Sequence, residues 1–167
     1  MVNIKDVWVR SVKSIHFKFT TKRQEFIWQK RRQEIPPSAI ARELKVSRAL
    51  VSKTQRIAEE RIEKILLHAA ATNRINIQHI SPRYGFAVGH CPANKSTTYI
   101  VYSPVLGTQV WFSHGGDCGN CSEQSVCEKT IQTLAQEWNL PLSKGIPATE
   151  AAEELFIAIM RRLKWSE

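Results

Sequence analysis

The sequence predicts an α+β chain: an N-terminal helical domain, then a small antiparallel sheet bearing four cysteines, then C-terminal helices. Three observations predict it. From Thr20 to Asn73 the apolar residues recur at helical spacing, whereas RYGFAVGHC, TTYIVYS and TQVWFSH are β-branched and aromatic runs separated by turn formers. The charge divides in the same way. Residues 1–83 carry 18 Lys/Arg against 7 Asp/Glu, a net +11, and residues 84–167 carry 6 against 8, a net −2. Finally, all four cysteines fall in the second part. The expected organisation is an arm or short strands over 1–19, a helical domain over 20–73, and a cysteine-containing, dimerising domain over 74–167.

VWVRSV and IHFKF in the first 19 residues alternate like short strands. Thr20 or Thr21 then suits the N-cap of a helix that carries Phe26 and Ile27 and stops before Pro36-Pro37. Pro37-Ser38 opens a short helix with Ala39, Ile40, Ala41 and Leu44. Lys45-Val46 makes a tight turn, and Ser47 caps a third helix that starts at Arg48 and runs to about Asn73. Ala41 is small where two helices cross, Val46 plugs the turn, and Val51 lies on the inner face ten residues after Ala41. This is the spacing of a helix-turn-helix, with Lys45 in the turn position where Gly is usual.

IARELKVSRALVSKTQRIAEERI, within residues 21–66, resembles the helix-turn-helix of LuxR-type regulators, sigma-factor region 4 and the archaeal Tfx regulators. The resemblance implies binding of double-stranded DNA, with the helix from Arg48 in the major groove behind its cap Ser47. Arg48, Ser52 and Lys53 are then expected at base edges, and Arg56, Arg42, Lys30, Arg31 and Arg32 at phosphates. The excess positive charge of the first half fits a polyanionic partner, and an ordinary helical hairpin with solvated arginines does not account for it. Val51, Ala58, Ile62, Ile65 and Ala69 form an apolar stripe on the third helix. It can serve either a second copy of the chain, giving a homodimer, or packing within the chain.

In the second part, Ser103–Gly107 joins two strands as a hairpin, and Cys91 closes one strand while Cys118, Cys121 and Cys127 follow the last. That layout sends the isolated cysteine to the same end of the sheet as the other three. KTIQTLAQEW is helical, and Thr149 is placed to cap a last amphipathic helix with Leu155, Phe156, Ile159 and Leu163 along one face. The start of the chain lacks the continuous apolar core of a signal peptide, and no apolar run reaches the roughly 20 residues of a membrane span. The expected location is the cytoplasm, where a cysteine cluster favours metal over disulfides. A thioredoxin-like couple needs a βαβ setting that CGNC lacks.

Two metal readings remain. Zinc prefers paired CxxC knuckles, of which this chain has one, with His90 and His114 as possible further ligands. The spacing C-x26-C-x2-C-x5-C is similar to that of the WhiB-like [4Fe–4S] regulators. That resemblance, in ligand spacing alone, implies Cys91, Cys118, Cys121 and Cys127 as ligands of a [4Fe–4S] cluster used in redox or oxygen sensing. Paired carboxylates at catalytic spacing, a phosphate-cradling Gly loop and a Ser/His/Asp constellation are all missing from the sequence, so no enzyme activity is expected. The alternatives are RNA binding, or redox or nucleic-acid-processing chemistry at the cysteines.

Overall fold

The computed structural model describes residues 20–165. The expected arm over residues 1–19 lies outside them. Three helices come first: α1 (Lys22–Arg32), α2 (Pro37–Leu44) and α3 (Arg48–Thr72). Thr21 caps α1 through a capping box with Gln24, which satisfies donors that a helix start otherwise leaves bare. Pro37 is the first residue of α2, where its missing N–H costs nothing. Lys45 ends α2 in the left-handed region (φ 53°, ψ 46°), and the Val46 N–H closes the turn on the Ala41 carbonyl at 3.0 Å. Ser47 caps α3, its Oγ accepting the Leu50 N–H at 3.1 Å.

Four strands follow: β1 (Asn76–Ser81), β2 (Phe86–Cys91), β3 (Ser96–Ser103) and β4 (Gly107–Phe112). They form an antiparallel meander in the order β1-β2-β3-β4, with a bulge between Ile77 and His79. Strand β1 was not foreseen, because NIQHIS carries polar residues at most positions and its partner-facing pattern is broken by that bulge. After a single 3₁₀ turn at Cys118–Asn120 come α4 (Gln124–Trp138) and α5 (Ala148–Arg162). Thr149, expected as the cap of α5, lies within its first turn instead; Pro147 occupies the cap position and makes no side-chain cap bond.

The sheet is covered on both faces. Phe86, Val88, Tyr99 and Val101 face α4 and α5, packing on Ile131, Leu134, Trp138, Leu155, Phe156 and Ile159. The alternate residues Ala87, Ile100 and Tyr102 face Trp28 of α1 and Ala58, Ile62, Leu66 and Ala70 of α3. A third, smaller core joins Ile27, Ile40, Ala41 and Val51 beneath the turn between α2 and α3. The expected stripe on α3 is thus consumed within the chain: Val51, Ala58 and Ile62 are buried, and Ile65 and Ala69 pack at the edge of the second core. The break at residue 73 separates helices from strands in sequence but does not separate two cores. At Gly85 (φ +64°) the chain passes so close to Trp28 that a Cβ would sit 2.7 Å from the indole ring. Only glycine combines that backbone conformation with that approach.

Candidate nucleic-acid interface and cysteine segment

The first two turns of α3 are held by their inner face and bare on their outer one. Val51 is fully buried against Ile27 and Ile40, which fixes the pitch of the helix. Arg48, Ser52, Lys53 and Arg56 are all exposed, as is the cap Ser47. One turn apart along the same surface, these side chains form a polar and basic strip next to the tight turn. Arg48, Lys53 and Arg42, the last exposed on α2, make no ion pair or hydrogen bond among the described residues. Arg56 reaches Glu60 only at 3.9 Å across solvent.

The basic run that closes α1 divides three ways. Lys30 pairs with Glu43 at 3.2 Å and lies over the Phe26 ring. Arg31 donates to Gln55 Oε1 (2.9 Å) and to the Ile35 carbonyl (2.8 Å), so it holds the α1–α2 link against α3. Arg32 points the other way and is buried. Its guanidinium lies over Trp28 (5.1 Å) and Trp138 (4.5 Å), donates to the Glu137 carbonyl at 2.9 Å, and stands 3.9 Å from the Glu137 carboxylate. Burial lowers its pKa to about 10, which still leaves it charged at neutral pH. Arg32, expected at a phosphate, therefore joins the helical part to the C-terminal layer. The run KRR carries no sign of this, because the partner lies 105 residues away.

The cysteines also divide. Cys118 and Cys121 belong to the segment that leads from β4 into α4, and Cys127 to the first turn of α4; Cys121 is exposed and the other two are half-buried. The Thr149 hydroxyl, 3.5 Å from Cys118 Sγ, and then the Thr149 and Ala148 N–H groups at the head of α5, hold that thiol below the usual range. Burial, and then the neighbouring Cys121 and Cys118, push the Cys127 thiol up. Cys91 is buried at the end of β2. Its register partner is Ser96, and it follows Ala87 and Gly89 on the sheet face covered by α3. Cys118 meets α5, which covers the opposite face through Phe156 and Ile159. Sheet order does bring Cys91 to the same end as the others, but side-chain parity turns it to the other face. The four thiols are not gathered into one group here. Among the described residues, no three His, Cys, Asp or Glu side chains stand close enough together to hold a metal ion. His114 bonds the Phe112 carbonyl through Nδ1 at 2.7 Å and lies beside Trp111.

No helix among the described residues is long and apolar enough to cross a membrane. Compared with family models, curated proteins and solved structures, the chain matches none of them.

Proposed function

We propose that the chain is a transcriptional regulator that binds double-stranded DNA with the first turns of α3 in the major groove. The observation that carries this reading is the α2–turn–α3 unit. A left-handed Lys45, the Val46–Ala41 bond and the Ser47 cap hold α3 rigidly by Val51, while Arg48, Ser52 and Lys53 stand bare on its outer surface. Arg48, Ser52 and Lys53 read base edges, and Arg42 and Arg56 touch phosphate. Lys30 and Arg31 add positive potential beside the strip, and Arg32 takes no part. Two copies on a two-fold site would read two half-sites.

Selection from a random duplex pool, followed by titration of the chosen site, tests this. Arg48→Ala or Lys53→Ala should cost about 1–3 kcal/mol on the selected site and relax its sequence preference. Arg42→Ala or Arg56→Ala should weaken every duplex alike and lower the salt slope by roughly one. Equal affinity for any polyanion, RNA included, would end the reading.

A metal-responsive form, with a [4Fe–4S] cluster or zinc, would rest on Cys118, Cys121 and Cys127, which would have to draw together about the metal. Iron, sulfide and zinc analysis of anaerobically purified protein tests it. Cys91→Ala should leave any metal content unchanged and Cys118→Ala should abolish it; protein free of both metals removes this form and leaves DNA binding untouched.

A further inference from the structure

Among the described residues four large apolar side chains are exposed: Leu50, Leu67, Val105 and Val126. Three lie away from the basic strip, in the second half of α3, in the link between β3 and β4, and in the first turn of α4. Leu50 lies inside it. It is 39% exposed in the first turn of α3, and its backbone N–H is held by the Ser47 cap at 3.1 Å. A lone exposed leucine on a free surface needs no explanation. This one stands among the side chains that would enter the groove.

The buried Val51 fixes how α3 is turned. At about 100° per residue, Leu50 is swung clear of the core, and Lys53, three residues on, is its neighbour along the outer surface. Arg48 precedes it by two residues and Ser52 follows by two, and both are exposed with it. Ala49, exposed between Arg48 and Leu50, carries only a methyl group and puts no long side chain in the way of a close approach. When Arg48, Ser52 and Lys53 reach base edges, Leu50 enters the groove with them. Its isobutyl group strips water from whatever edge it meets. Against an amino or keto group it leaves a donor or acceptor unpaired, which is costly. The thymine 5-methyl is the one apolar group that the major-groove edges of unmodified DNA display.

We propose that Leu50 packs on a thymine methyl and so selects a T·A pair within the preferred site. This inference rests on the DNA-binding reading above and adds to it the base that one apolar position specifies.

The test takes the full chain with the site it selects from random duplexes and replaces each thymine in turn by deoxyuridine. That exchange removes the methyl and keeps every hydrogen-bonding group of the base. At one position or more the parent protein should lose about fourfold in affinity, the worth of one buried methyl. Leu50→Ala, its folding checked by helical circular dichroism, should show no deoxyuridine penalty at that position. A selected site without thymine, no penalty at any thymine for the parent, or the same penalty in Leu50→Ala would each overturn the inference and leave the DNA-binding reading intact. Failure to select any site would remove both.

Discussion

Thr149 is where the head of α5 meets the cysteine segment, and its hydroxyl makes Cys118 unlike its two neighbours. A thiol held below its usual range carries more thiolate at neutral pH, and Cys127, pushed up, carries less. Iodoacetamide should therefore label Cys118 ahead of Cys127 near pH 7, as read by peptide mass spectrometry. Thr149→Val should narrow the difference by raising the Cys118 thiol towards its ordinary value. Equal rates in the parent protein would remove the Thr149 hydrogen bond as the cause. Parity explains why Cys91 stays outside this chemistry. Its position two residues after Gly89 and four after Ala87 was already readable in FAVGHC, since alternate strand residues share a face. What the sequence could not say was which face α5 would cover.

The helices were legible where local rules are strong. Thr21, Pro37 and Ser47 mark helix starts by chemistry that acts within three or four residues, and each lies where that chemistry puts it. Thr149 failed as a cap because Pro147, two residues earlier, already has the extended conformation from which α5 begins. The α3 stripe was read correctly as an apolar face, but its occupant is a matter of tertiary packing: Ile62 lies under Ala87 and Ile100 in place of a second copy. Ile62→Ala should cost about 2–5 kcal/mol. Because Trp28 of α1 and the sheet share that core, helical circular dichroism and tryptophan fluorescence should fall in one denaturant transition. Two separate transitions, with only one moved, would show that the layers fold apart.

At the scale of the whole molecule, charge asymmetry set the basic excess in the first half of the chain but said nothing of how the halves would join. The joint depends on contacts far apart in sequence: Arg32 with Glu137 and Trp138, and the Tyr102 hydroxyl with Thr20 at 2.9 Å. No local pattern encodes such pairs; a buried arginine reads like a solvated one until its partners are placed. The largest consequence belongs to α3, 25 residues and about 37 Å long, without a glycine or proline along it. One end of this rod carries the exposed basic strip and the other is the floor of the sheet. There is no hinge between them. A push on the C-terminal layer arrives at the basic end as a tilt of the entire lever, never as a local bend.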